Sequence, residues 1–438
     1  MTIIKQLLSK EIIKPSTPTP PHLRNLKLSL LDQLTNGMYM PTVLYFACNH
    51  NDKLNRSAKS RLLKQSLSQL LSHYYHFAGR LSSSRTDFIH CNDEGVEFFE
   101  AQIQSNLSDF LKLPQSETEE LVFPGGIMYK KPGKESLLKV QVSFFDCGGV
   151  AVGICISHKI VDGCSFIIFL YNWGKMSCKS GEIVPPKLEY MVGKTIFTAP
   201  EDPLMVPNND AETANCGGER FAFGASNIAK LRAMATSARV QDPTRVEVVT
   251  AFLYKCAIDT SLQPSTKVLL QLVNMRRRVV PPLPENCVGN YAWFYSISPR
   301  QGTQMTLQAL VGQLRKGLSL LCDENVKNLE MEEWVKAICD FKRVEDSQEV
   351  LKDVDIYVCT STCRFSFYKV NFGWGEPICI RMASGAPKNS FFLMDTREGD
   401  GIEAWVTLDK QHMMRFQQHQ GLLRFASFAV DSEQRARM

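Results

Sequence analysis

Between Gly148 and Trp173 the chain presents an apolar run, one histidine, and a second apolar run. This order constrains the fold more than any other stretch. Val150-Ala151-Val152-Gly153-Ile154 is short, β-branched and preceded by the turn pair Gly148-Gly149, so it reads as a buried strand continuing into Cys155-Ile156-Ser157. The chain then emits His158, turns at Gly163, and enters the apolar segment Ser165 to Trp173. A histidine at the end of a core strand is held by backbone ladder bonds and titrates near neutral pH, which suits a general base. Such a histidine can also be a satisfied structural residue. With eight histidines in the chain, a His-x-x-x-Asp spacing is not specific by itself. Cys164 and Ser165 are rival nucleophiles, but neither follows a nucleophile-elbow turn. Asp162 invites a triad-like reading in which it orients His158, although only three residues separate the pair and Gly163 follows at once.

At 438 residues the chain fits two domains of roughly two hundred residues each. Hydrophobic residues at 44% and charged residues at 22% are globular values. The net charge of +5 is spread without a Lys/Arg block, which argues against nucleic-acid binding while leaving cations for an anionic ligand. No apolar run approaches the ~18 residues of a membrane helix, and Met1-Thr2-Ile3-Ile4-Lys5-Gln6 lacks the pattern of a signal peptide. The fourteen cysteines stand singly, several in apolar strands (Cys155, Cys256, Cys359, Cys379), as free cysteines of a reducing cytosol do. The sequons at Asn55 and Asn106 then read as chance matches. No metal-ligand spacing and no phosphate-binding glycine loop is present, so neither a metal nor nucleotide-triphosphate chemistry is expected.

Both halves alternate strands and helices, which predicts two α/β domains of similar build. The first covers 1–177, with an extended Pro15-to-Pro21 segment, a strand from Pro41 to Asn49, an amphipathic helix from Lys59 to His76 stopped by Gly79, a helix at Leu107 to Leu111 and a strand at Leu137 to Phe145. A crossover rich in Pro, Gly, Asn, Asp and Glu occupies 178–218. The second domain, 219–438, opens with the strand Arg220 to Phe223 and a helix from Asn227 to Thr236 capped by Ser226. Helices are expected at Arg245 to Cys256, Thr306 to Leu321, Met331 to Phe341 and Lys410 to His419. Strands are expected at Lys267 to Asn274, Tyr291 to Ile297, Val354 to Thr360, Ile378 to Met382, Ser390 to Met394 and Ile402 to Thr407.

A second stretch changes the weight of the first: Tyr368-Lys369-Val370-Asn371-Phe372-Gly373-Trp374-Gly375. Together with His158-Lys159-Ile160-Val161-Asp162-Gly163 it resembles the plant BAHD acyl-CoA-dependent acyltransferases. That family carries His-x-x-x-Asp-Gly near the middle and Asp-Phe-Gly-Trp-Gly towards the end. The likeness spans the chain through Ile13 to Pro20, Leu28 to Leu34, Ala78-Gly79-Arg80-Leu81, Val246 to Ala251 and Val273-Asn274-Met275-Arg276. Cys91 to Val96 and Cys363-Arg364-Phe365 look like the alkaloid-acylating, vinorine synthase-like branch. The resemblance implies two chloramphenicol acetyltransferase-like α/β domains with mixed sheets and a channel between them.

It also implies roles. His158 would be the base of a direct ternary-complex transfer, and Asp162 would point away from the site and pair with Arg276. Phe372, Gly373, Trp374 and Gly375 would be architecture near the carrier channel. The sequence departs from the family at Asn371, where aspartate is usual. An ion pair to an arginine would there become a neutral bond, at a cost of order 1–3 kcal/mol if that arginine is buried. Thr362 stands where the family often has tryptophan, and its hydroxyl is a candidate oxyanion donor or else a satisfied strand-end group. Candidate partners for the anionic coenzyme are Arg245, Arg276, Arg277, Ser361 and the helix start near Thr244. If Leu422 to Phe428 is a strand, Arg424 shares a face with Leu422, Ala426 and Phe428, and a buried guanidinium there would take the carboxylate of a malonyl donor. If the segment is helical, Arg424 is solvated.

The expectation is a cytosolic, monomeric enzyme with no permanently bound cofactor. It would move a small acyl group, malonyl or acetyl, from acyl-CoA to a hydroxyl or nitrogen of a bulky, largely apolar plant specialised metabolite, a monoterpene indole alkaloid. A non-acylating catalyst of elimination or cyclisation, or a metabolite-binding protein, are the alternatives.

Overall fold

A computed structural model describes residues 3–35, 37–48, 54–83, 87–124, 134–188, 215–299, 305–322, 354–382 and 386–429. The helix expected at Met331 to Phe341 and most of the 178–218 crossover lie outside them. These described residues form two mixed sheets and a small third one. The first has the spatial order Lys5–Ile13, Val96–Ile103, Leu138–Phe145, Val150–Ser157, Tyr39–Phe46, Cys379–Met382, antiparallel throughout except between its second and third strands. The second runs Ala292–Ile297, Thr266–Asn274, Val354–Ser361, Ser390–Asp395, Ile402–Asp409, Cys216–Phe223, Ser427–Phe428, with parallel pairs on both sides of Val354–Ser361.

Helices cover these sheets for the reason their spacing foretold. Arg56–Leu71 buries Leu63, Leu67, Leu70 and Leu71 on one stripe, and Asn55 caps it by accepting from the Ala58 N–H at 2.9 Å. Removing four leucines from water is worth roughly 6–12 kcal/mol before chain entropy is counted. The helix stops at Leu71 rather than near His76, because a tighter turn, Tyr75–Ala78, leads into Gly79. No side chain could replace hydrogen at Gly79, since a Cβ would meet the His90 carbonyl at 2.4 Å. In the second half Gly224, not Ser226, stands at the start of Ala225–Ala235, with no side-chain cap. The first strand of that half begins at Cys216, four residues before Arg220, because its pairing with Ile402–Asp409 runs the full length of both strands.

One expectation of domain organisation is corrected. The Asn371-Phe372-Gly373-Trp374-Gly375 segment was assigned with 219–438, yet Phe367, Tyr368, Val370, Phe372, Trp374, Cys379 and Ile380 pack in the core of the first half. Cys379–Met382 completes that half's sheet by pairing with Tyr39–Phe46. Sequence adjacency to the second half is overridden by apolar side chains that find their burial in the first. A separate small cluster of Leu30, Leu31, Met275, Val279, Leu283, Cys287, Tyr291 and Leu321 joins residues of both halves beside the histidine turn.

Candidate active site

His158 follows Val150–Ser157, a strand buried at every residue and paired on both edges. The Ser157 N–H donates to Leu137 O at 2.8 Å and the His158 N–H to Met38 O at 2.8 Å, so the backbone leaves the sheet in one fixed direction. The His158 carbonyl accepts from Asn290 Nδ2 at 2.7 Å. The residue is half-buried, while its Nδ1 is enclosed and meets no partner at hydrogen-bond geometry. Burial lowers its pKa from the usual histidine value, against smaller opposing contributions from its own backbone, Asp162, the Asn290 side chain and the Val161 backbone, so the ring is neutral at pH 7.

Asp162 caps the helix Gly163–Cys178, accepting from the Ser165 N–H at 2.8 Å. Its oxygens also take both Arg276 Nη atoms, at 2.7 and 3.1 Å, and the Tyr291 N–H at 3.1 Å. Burial works to raise its pKa, but the Arg276 guanidinium and these donors outweigh it and hold the carboxyl below its ordinary range. Arg276 is 0% exposed, lies 4.7 Å from the Tyr291 ring centroid and donates to the Ser165 hydroxyl and the carbonyls of Cys287 and Gly289. Its expected role at the coenzyme is therefore corrected: an arginine wholly enclosed by acceptors cannot reach a phosphate. Ser165 Oγ is buried in that network, and burial pushes the Cys164 thiol up to about 12, so neither is poised as a nucleophile.

Two residues not singled out in the sequence complete the surroundings. Asp32 is fully buried and takes the Asn290 N–H at 2.7 Å and Asn290 Nδ2 at 2.9 Å. The Ser29-Leu30-Leu31-Asp32 spacing signals a capping box, which the structure forms. That signal locates a helix start; it carries no hint of a partner 258 residues away.

Asn371 holds its turn through its side-chain oxygen. Its Oδ1 accepts from the Gly373 N–H at 2.8 Å and the Gly375 N–H at 3.2 Å. Among the described residues no arginine is bonded to Asn371, so the ion pair expected at this position has no arginine partner there. Gly373 and Gly375 take φ of +115° and +116°, values that L side chains rarely adopt. Phe372 and Trp374 are buried, with Trp374 beneath the Lys59 ammonium 5.5 Å from its centroid. The loop lies directly on the histidine's helix: the Ser177 hydroxyl donates to Phe372 O at 2.7 Å, and a Cβ at Gly174 would meet Asn371 O at 2.6 Å.

The remaining candidates divide. Thr362 is buried, with its methyl group 3.2 Å from the position a Cβ would take on Gly163. Its hydroxyl donates to Leu393 O at 3.2 Å, and its N–H meets the same oxygen at 2.8 Å. Ser361 is half-buried and accepts from the Cys363 N–H at 3.2 Å. Arg245 is held by Asp395 at 3.0 Å, and the exposed Arg277 pairs with Glu285. The helix start at Thr244 is closed by a capping box whose Glu247 carboxylate also binds Arg315; a carboxylate there repels the phosphate that was expected. Arg424 sits in the short helix Gln420–Phe425 and is exposed, so the buried-strand premise for a malonyl contact fails. Among the described residues no group of three His, Cys, Asp or Glu side chains could hold a metal, and no helix is long and apolar enough to cross a membrane.

Residues 5–423 match the Transferase family. Akuammiline synthase 1 of Alstonia scholaris is 39% identical over 437 residues, covering 98% of this chain and 99% of the relative. The 17,18-epoxy-17-hydroxycur-19-ene N-malonyltransferase of Strychnos nux-vomica is 37% identical, covering 98% of this chain and 91% of that enzyme. The crystal structure of vinorine synthase superposes with a TM-score of 0.81 at 30% identity, covering 98% of this chain and 100% of the other. A buried strand delivering one histidine, the glycine-rich loop seated on its helix and a match along nearly the whole length place the chain in the Transferase family, as a BAHD acyl-CoA-dependent acyltransferase.

Proposed function

We propose that this enzyme transfers an acetyl or malonyl group from acyl-CoA to a hydroxyl or nitrogen of an alkaloid, within a ternary complex in which His158 is the general base. One observation carries the reading: a neutral, half-buried imidazole at the rigid end of a core strand, with Nδ1 enclosed and no competing nucleophile beside it. The acceptor O–H or N–H gives its proton to the accessible part of that ring as its lone pair closes on the thioester carbon. The tetrahedral adduct then reforms its carbonyl by breaking the C–S bond, and the departing thiolate takes the proton from the imidazolium. Asp162 supports this step by fixing the helix start rather than by bonding to the ring.

Thr362 is the nearby candidate for the oxyanion. Turning its hydroxyl away from Leu393 O leaves that carbonyl with the Thr362 N–H, so the rotation strands no buried acceptor. With Arg424 exposed, no residue discussed above favours malonyl over acetyl. The 37% identity to an N-malonyltransferase keeps malonyl-CoA beside acetyl-CoA. An alkaloid acceptor is supported by the vinorine synthase likeness. A cytosolic location agrees with scattered free cysteines.

The test is release of free thiol from acetyl-CoA and malonyl-CoA with a panel of alkaloid acceptors, in wild type and His158→Ala. Acceptor-dependent release that the substitution abolishes supports the reading. Silence from both donors in folded protein that still binds acceptors overturns it in favour of a non-acylating or binding protein.

A further inference from the structure

Gly289, Asn290 and Tyr291 lie between two buried carboxylates from the first half of the chain. Asp162 takes the Tyr291 N–H at 3.1 Å and is balanced by Arg276. Asp32 takes the Asn290 N–H at 2.7 Å and side-chain Nδ2 at 2.9 Å on Oδ1. Its Oδ2 is left to the Ser29 N–H at 3.2 Å and hydroxyl at 2.6 Å. Among the described residues no cation balances Asp32. A wholly buried carboxylate without a counter-ion is costly, so the fold retains it against a penalty that helix capping alone would not require.

What it holds is the orientation of one amide. Asn290 Nδ2 donates to Asp32 Oδ1 and also, at 2.7 Å, to the carbonyl of His158. An ionised carboxylate accepts only, so it forces the NH2 face of Asn290 inward and the amide oxygen away. The other side of the His158 peptide is pinned by its N–H on Met38 O at 2.8 Å. Nδ1 of the ring meets no partner at full hydrogen-bond geometry, and the groups that act on it are the same Asn290 side chain and the Val161 backbone, so the imidazole is aimed by its backbone anchors together with Asn290. We infer that Asp32, acting through the Asn290 amide, is a positioning residue for His158. This rests on His158 being the base.

The charge state agrees with that role. Burial raises the Asp32 pKa to about 6, opposed by the hydrogen bonds from Ser29 and Asn290. The titratable and charged groups around it are few. Lys159, next to the histidine, spends its ammonium on Gln33 O at 2.7 Å. The Asp162–Arg276 pair lies across Tyr291, whose phenol is held neutral by burial, and His158 is neutral. Above about pH 6 Asp32 is a carboxylate and accepts all four bonds; below it a proton makes one oxygen a donor and the hold on Asn290 weakens.

The experiment measures kcat, both KM values and thermal midpoint for the full chain across about pH 5 to 9. It compares wild type, His158→Ala, Asp32→Asn, Asn290→Ala and the Asp32→Asn/Asn290→Ala double variant. Asp32→Asn and Asn290→Ala should each lower kcat about ten-fold at little change in KM, as loss of alignment does. The double variant should be no slower than Asn290→Ala, because the carboxylate acts only through that amide. The acid limb of kcat should lose rate with two protons in wild type and with one in Asp32→Asn. A folded Asp32→Asn enzyme within two-fold of wild type, or a double variant whose loss is the product of the single losses, overturns the inference. If Asp32→Asn does not fold, an unchanged kcat in Asn290→Ala overturns it instead. Full activity in His158→Ala would remove the reading of the base on which it rests, whereas loss there with unchanged Asp32→Asn refutes positioning alone.

Discussion

Removing the Asp162 carboxylate isolates the ion pair that joins the two halves behind the histidine. The carboxylate gathers four donors: Arg276 Nη1 at 2.7 Å, Arg276 Nη2 at 3.1 Å, Ser165 N at 2.8 Å and Tyr291 N at 3.1 Å. Arg276 is 0% exposed, so Asp162→Ala leaves a buried guanidinium with only neutral acceptors. Breaking a buried pair in this way costs about 3–5 kcal/mol. Combining it with Arg276→Met removes the stranded charge as well, so the double variant should be more stable than Asp162→Ala alone. The assay is urea unfolding followed by far-ultraviolet circular dichroism and tryptophan fluorescence at several pH values. The folded-state pKa of Asp162 lies below its ordinary value, so its contribution is fully present above roughly pH 4 and disappears as pH falls through the folded value. The stability gap between wild type and Asp162→Ala should therefore narrow in acid. A loss under about 1 kcal/mol at pH 7, strict additivity with Arg276→Met, or a gap that does not change with pH would refute the reasoning.

Three further outcomes are expected. Gly174→Ala drives a Cβ to 2.6 Å from Asn371 O and should destabilise by about 1–3 kcal/mol in thermal or urea melts, through overpacking of the loop against its helix. Asn371→Asp keeps the acceptor for the Gly373 and Gly375 N–H groups at an exposed position, so stability should stay within about 0.5 kcal/mol of wild type by the same melts and thiol release should be retained. Arg424→Phe should leave the acetyl-to-malonyl rate ratio unchanged, because Arg424 is exposed on Gln420–Phe425; a shift in that ratio would restore the carboxylate contact.

Much of the site was legible in the chain because its signals are local. A β-branched run behind a glycine pair specifies a strand, and the structure forms Val150–Ser157 there, whereas the apolar segment Ser165 to Trp173 carries no such mark of its type and becomes part of the helix Gly163–Cys178 only in the structure. The leucine spacing of Arg56–Leu71 and the strands of the second half were readable in the same way, to within a few residues at their ends. Arg424 stays open between two readings in the sequence because Leu422 and Phe425 suit the buried stripe of a short helix as well as one face of a strand, and the structure forms the helix.

The sequence alone settled the alternation of elements, the histidine that the central strand delivers and the mild, dispersed charge, since each depends on neighbours along the chain. Only the tertiary structure decided where long-range partners fall. It enclosed Arg276 against Asp162, 114 residues earlier, and set Asn290 between Asp32 and the His158 carbonyl. It also drew Phe372 and Trp374 into the first core and closed the first sheet with Cys379–Met382. Those pairings follow from the need to give every buried charge and polar group a partner and every large apolar side chain a dry surface, and that need can be met only after the chain has brought distant segments together.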